Sequence, residues 1–336
     1  MIRGIFLKTL AATVLIWCSL ATFVFDLSAQ TTDEQDAPIK IETTLINIPL
    51  VVSDRDGRHV GGLRKEDFTI LLDGEKQEIE YFADAEAPVS VAIILDLSGS
   101  TRPYIQKIRD AAKAFVEKLN PSDRAAVLTF DQFQKIDLIS PLTSDRKKLS
   151  SKIGSVRHNF SGFRPDWTRP EISPDMYDAI YQAMTKEFAG VKGRKAVIVL
   201  TDGFVVGRTV TPRVFDDTIV EGDAVIYPMM FITRQHVGPG NNSIPTEALY
   251  KLPVTAALNA IAVKTGGRLL IAAKDTDFKS AFQSVGDELR KQYVLGFYPS
   301  ITDPNRSRQI ALSVNRPDTR IRSKTNIRIK PPVDSK

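Results

Sequence analysis

The sequence predicts a doubly wound, mostly parallel α/β sheet, with an accessory β-sandwich-like unit contributed by the N- and C-terminal flanks. Three observations lead there. Two apolar runs, VSVAIILD at 89–96 and AVIVLTD at 196–202, each end in an aspartate followed by turn residues. Short apolar runs bounded in this way read as parallel strands buried on both faces. From 89 to 290 such runs alternate with helical segments, the pattern of βαβ units. Outside that stretch, strand-like runs follow one another with no helix between them.

In chain order, residues 1–29 have the three regions of a secretory signal peptide: Arg3 and Lys8, an apolar run over 9–25, and the small-residue site Leu27-Ser28-Ala29. An N-terminal membrane anchor is the alternative, because the apolar run is near the short end of a bilayer span. Cys18 is the single cysteine and lies in this segment, so the mature chain carries no disulfide and no thiol nucleophile. Residues 30–38 (QTTDEQDAP) are a polar, acidic leader.

Residues 39–87 form an N-terminal β unit. A β-branched run at 39–52 is followed by the turn SDRDG. Two further runs, DFTILL and QEIEYF, flank Asp73-Gly74 as a hairpin. So few strands bury little core alone and need something to pack on.

Residues 88–299 form the α/β domain. Helix 105–119 is amphipathic, with Ile105, Ile108, Ala112, Phe115, Val116 and Leu119 on one face. Strands are expected at 124–130, 135–139, 195–201, 224–232 and 268–272. Helices are expected at 145–156, 177–188, 215–220, 254–265 and 277–290. The segment 157–174 reads as an irregular loop carrying Phe160, Phe163 and Trp167. It either pins itself to the domain or faces a partner.

Residues 300–336, with QYVLGFY at 292–298, supply the last strands, which are expected to pair with the N-terminal β unit. In the strand read over 320–330, Ile321, Ile327 and Ile329 share one face; Arg320, Arg322, Lys324, Arg328 and Lys330 share the other, read as a solvated surface.

With 336 residues, 43% hydrophobic and 25% charged, the composition is that of an ordinary globular protein. The net charge of +5 gives no reason to expect nucleic acid.

The chemistry concentrates after the first parallel strand. Asp96, Ser98 and Ser100 sit on the loop at its carboxyl end, where open α/β sheets place ligands. One carboxylate and two hydroxyls are hard oxygen donors, suited to Mg²⁺ or Mn²⁺. The plainer reading is that they cap the next helix. Other chemistries lack residues. A phosphate loop needs a lysine after the glycine, where Ser100 and Thr101 follow Gly99. A phosphotransferase of the D-x-D type needs an acid where Ser98 stands. The three histidines, His59, His158 and His236, are isolated in predicted turns, where such residues usually face solvent.

Together, Asp96-x-Ser98-x-Ser100 and Leu200-Thr201-Asp202-Gly203 resemble the von Willebrand factor A (VWA) domain and its metal-ion-dependent adhesion site, over roughly 88–299. The resemblance implies a Rossmann-like fold and a Mg²⁺ or Mn²⁺ ion held by Asp96, Ser98 and Ser100, with Asp202 acting directly or through water. The family's mid-domain threonine precedes a helix that here begins Met176-Tyr177-Asp178-Ala179, which puts Pro174 at its place. Ser173 or Thr168 is then the substitute ligand. The order of β leader, VWA part and QYVLGFY-type tail is also similar to secreted VWA-related proteins of acidobacteria. The expected function is a secreted or periplasmic, non-enzymatic protein-binding module, close to the cell envelope, that takes an Asp or Glu side chain of a protein partner at the metal. A structural or assembly scaffold with a decayed, metal-free site is the alternative.

Overall fold

The computed structural model describes residues 45–84, 87–131, 136–157, 175–203, 209–233, 251–273, 277–299 and 306–329, with residue 248. The predicted signal segment, the aromatic loop with His158, Thr168, Ser173 and Pro174, and the loop with His236 lie outside these residues.

The central sheet has six strands: β5 (Val89–Asp96), β6 (Arg124–Phe130), β7 (Asp137–Thr143), β8 (Arg194–Thr201), β9 (Ala224–Phe231) and β10 (Leu270–Ala272). Their order is β10-β9-β8-β5-β6-β7. All neighbours are parallel except β7, which runs antiparallel along the edge of β6. Strands β5 and β8 are buried along their whole length, as unbroken apolar runs require. Successive side chains alternate between two cores. Val91, Ile93 and Leu95 pack under α1 (Ile105–Glu117), α2 (Arg146–Ser155) and α6 (Asp277–Leu289). Ala92 and Ile94 face α3 (Met176–Gln182), α4 (Pro212–Glu221) and α5 (Pro253–Lys264). Helix α3 continues as one π-turn, Ala183–Glu187.

The flanks build two further four-stranded sheets. One has the order β13-β1-β11-β4, from Arg320–Ser323, Ile46–Ser53, Gln292–Phe297 and Tyr81–Ala83. The other is β14-β12-β2-β3, from Asn326–Arg328, Ser307–Val314, Phe68–Leu72 and Glu75–Gln77. They enclose a third core: Ile48, Leu50, Val52, Tyr293, Leu295 and Phe297 from the first sheet, Phe68, Ile70, Leu72, Ile310 and Ile327 from the second. The hairpin turn between β2 and β3 has positive φ at Asp73 (50°) and Gly74 (89°), the primed form that suits twisted strands.

The α/β part is inserted into this sandwich. It leaves after β4 and returns through α6 into β11, and these two strands are sheet neighbours, with Val294 opposite Ala83. Arg194, at the start of β8, fastens the junction. Its guanidinium donates to the carbonyls of Leu289 (2.5 Å), Gln292 (3.3 Å) and Ala87.

The tail departs from the expected single strand. The chain breaks at Lys324, so β13 and β14 belong to different sheets. Three residues of the basic stripe are not solvated either, although Arg320 is exposed. Arg322 pairs with Glu288 and donates to Gly266 O (2.6 Å), Arg328 pairs with Asp217, and Lys324 is buried with its ammonium on Gly222 O (2.9 Å) and Val220 O (3.4 Å). Burial lowers the Lys324 pKa to about 8, against a Coulombic pull from Asp223. The cations dock the sandwich on the α/β part. His59 is likewise half-buried, its ring stacked 5.8 Å from that of Tyr293.

No helix among the described residues is long and apolar enough to cross a membrane.

Candidate metal-binding site

Strand β5 ends at Asp96, which is fully buried. The chain stays attached to β6 for one more residue, since Leu97 N–H donates to Phe130 O at 2.9 Å. Then it turns through a 3₁₀ segment, Gly99–Tyr104, into α1. Thr101 tightens this turn: its hydroxyl bonds the carbonyls of Asp96 and Ser98, each at 2.9 Å.

The serine hydroxyls are not spent on capping. Ser98 is the N-cap of the 3₁₀ turn, yet neither it nor Tyr104, the N-cap of α1, makes a side-chain cap bond. Instead Ser98 Oγ lies 3.1 Å from Ser100 Oγ and also against the Asp96 carboxylate. Asp96 Oδ1 accepts Ser98 N–H at 2.8 Å, and Oδ2 accepts the Thr201 hydroxyl at 2.8 Å. Asp96, Ser98 and Ser100 therefore converge as expected from their spacing.

The second run contributes from β8. Thr201 donates to Asp96 and accepts Gly203 N–H at 2.9 Å. Gly203 has φ +82°, and a Cβ there would run into Val254 Cγ2, so this position excludes other residues twice over. Asp202 is fully buried and accepts the Thr233 hydroxyl at 3.3 Å, just past β9. Thus three adjacent strand ends, β5, β8 and β9, build one polar pocket at the carboxyl edge of the sheet.

Two buried carboxylates in such a place repel. Burial, and then the charge of Asp202, push the Asp96 pKa up to about 7; hydrogen bonds from Ser98 and Thr201 act in the opposite direction.

Helix α3 is held by a capping box. Asp175 accepts Tyr177 N–H (2.7 Å) and Asp178 N–H (3.3 Å), while Asp175 N–H donates to Asp178 Oδ2 (3.1 Å). Asp178 also accepts Val210 N–H at 2.7 Å and both the amide and hydroxyl of Thr209. These bonds hold its pKa below the ordinary carboxylate value, although burial pulls upward. One carboxylate thereby ties the start of α3 to the chain leading into α4. Sequence reasoning assigned no role to Thr101, Thr201, Asp178 or Thr233. Thr201 and Asp178 stood inside the quoted motifs and Thr101 directly after one of them; Thr233 carried no signal at all.

The donor set fits a small hard cation. Asp96, Asp202, Ser98 and Ser100 offer only oxygen, and a cation would relieve the carboxylate repulsion. Among the described residues no group of three or more His, Cys, Asp or Glu is placed to hold a metal, so hydroxyls would make up the rest of any ligand set.

Residues 91–204 match the family model of the von Willebrand factor type A domain. The first half of the α/β part is thus similar to the von Willebrand factor type A domain. No curated protein matches the chain. Among solved structures it is similar to proximal thread matrix protein 1 from the mussel byssus with a zinc-occupied MIDAS motif: 16% identity, 61% of this chain, 48% of that one, TM-score 0.42. The chain thus spans about half of the mussel protein. It is also similar to an aerotolerance-related membrane protein from Bacteroides fragilis NCTC 9343 (17% identity, 60% and 99% covered, TM-score 0.43). A von Willebrand factor type A protein from Catenulispora acidiphila covers more of the chain (12% identity, 87% and 76% covered, TM-score 0.42).

Proposed function

We propose that this chain is a metal-dependent protein-binding module, not an enzyme, secreted or held in the periplasm near the cell envelope. The observation that carries the proposal is the buried pair Asp96 and Asp202, close enough for the charge of Asp202 to raise the Asp96 pKa, with the mutually bonded Ser98 and Ser100 hydroxyls beside Asp96 at the carboxyl edge of the sheet. These four residues would hold Mg²⁺ or Mn²⁺, with Ser173 or Thr168 completing the set. The bound ion supplies positive charge that an Asp or Glu side chain of a protein partner would ligate. The residues do the rest: Thr201 and the Ser98 amide orient Asp96, Thr233 holds Asp202, and Thr101 fixes the loop that presents both serines. The N-terminal segment supports secretion, as does the element order similar to secreted VWA-related proteins of acidobacteria.

The test is a Mg²⁺ and Mn²⁺ titration of the full chain and of Asp96→Ala, by calorimetry and thermal unfolding. Binding at a hundred times Kd stabilises by about 2.7 kcal/mol. A gain of that size in the wild type, absent from Asp96→Ala, supports the reading. Absence of ion binding in the wild type overturns it. The second reading, a metal-free assembly scaffold, then takes its place; Pro174, with no side-chain oxygen where the family carries threonine, favours it.

A further inference from the structure

At the opposite end of the sheet lies a polar cleft of about 420 Å³, between the sandwich and the α/β part. Its floor is the outer face of β1 and β13, where Val51, Ser53 and Arg322 point away from the sandwich core occupied by Leu50 and Val52. One wall is the last turns of α6, with Ser284 and Glu288, and the turn after it, with Lys291; Arg268 and His59 close the sides. The cleft is far in topology from Asp96: Leu289, at the end of α6, is bonded by Arg194 at the amino end of β8.

Its charges are unequal. Glu288 is one carboxylate between two guanidiniums, bonded by Arg268 Nε at 2.8 Å and paired with Arg322. Asp287 is matched by Arg290 at 2.9 Å. Lys291 lines the cleft with its ammonium in no ion pair among the described residues. One guanidinium charge and one ammonium are thus left over. Ser53 and Ser284 add hydroxyls at the same walls. Glu288, the Ser284 hydroxyl and Gly266 O hold the two guanidiniums in place, and their remaining N–H groups suit the oxygens of a tetrahedral anion. His59 is anchored by Val52 O at 3.2 Å and by its ring contact with Tyr293. The volume exceeds that of a lone phosphate and lies in the range of small-molecule pockets.

We propose that this cleft binds a small phosphate ester, its phosphate set among Arg268, Arg322 and Lys291. The site does not depend on a metal at Asp96, so the two readings fail separately.

The test follows the His59 ring resonances by NMR in the full chain, free of divalent ions, identified by their loss in His59→Gln. Glycerol 3-phosphate, inorganic phosphate and glycerol are titrated in turn. The expected result is a saturable shift with glycerol 3-phosphate, weaker with inorganic phosphate and absent with glycerol. Lys291→Glu should weaken binding about tenfold or more at an unchanged unfolding midpoint, and Lys291→Arg should retain it. Equal shifts in wild type and Lys291→Glu, or no saturation with either phosphate, would overturn the proposal. Saturation by inorganic phosphate alone would overturn the ester and leave a bare anion site.

Discussion

The Thr201 hydroxyl donates to Asp96 Oδ2 at 2.8 Å, joining two residues 105 apart in the chain. It is the direct link between the two motifs. It also favours the ionised form of Asp96, against burial and the charge of Asp202. Thr201→Val keeps the shape and removes the donor, leaving a buried carboxylate oxygen short of a partner at a cost of about 1–3 kcal/mol. Urea unfolding should show that loss, and Mg²⁺ affinity should fall about tenfold. Thr201→Ser should restore most of both.

Asp96 would give the proposed metal site a pH dependence. Its folded pKa, about 7, lies above the ordinary 3.8, so below about pH 7 a proton competes with the ion. With one competing proton, apparent affinity at about pH 6 should be roughly tenfold weaker than at about pH 8. In the metal-free protein the sign is the reverse of a usual carboxylate. The folded state binds the extra proton between about 4 and 7, so stability falls as pH rises through that window. Asp96→Asn should flatten that slope; calorimetry in buffers of different ionisation enthalpy reads the proton released on binding.

Lys324 acts in another window. Its folded pKa is lowered to about 8 from 10.5, so between those values the unfolded chain holds more protons and stability rises with pH. Lys324→Met should abolish that rise. Near neutral pH the variant also leaves Gly222 O and Val220 O without their donor, a loss of about 1–3 kcal/mol offset by a charge no longer buried. Chemical unfolding at about pH 7.5 and about pH 9.5 separates the two effects.

Arg194 binds three carbonyls where the α/β part enters and leaves the sandwich. Arg194→Ala should cost about 3 kcal/mol or more, because several buried carbonyls lose their donor together. Fluorescence and far-ultraviolet dichroism, coincident in the wild type, should then give separate transitions for sandwich and α/β part. Coincident transitions with an unchanged midpoint would show that the junction is held elsewhere.

Local pattern carried a good part of this architecture. Unbroken apolar runs gave the buried parallel strands, alternation with amphipathic helices gave the double winding, and Asp73-Gly74 gave its hairpin turn, although the run expected after it, QEIEYF, divides between β3 in one sheet and β4 in the other. The site was legible in part for the same reason: Asp96, Ser98 and Ser100 share one tight turn, and a turn is a local object. What lay beyond reading was closure over distance. Period-two alternation in the tail separates two faces but cannot say what covers the outer one, so Arg322, Lys324 and Arg328 read as solvated although each meets the α/β part. In the same way nothing near Thr201 or Thr233 announces the carboxylate it serves. Short-range pattern reports which residues a strand must bury; which partner satisfies a buried polar group is decided only when separate strands end side by side.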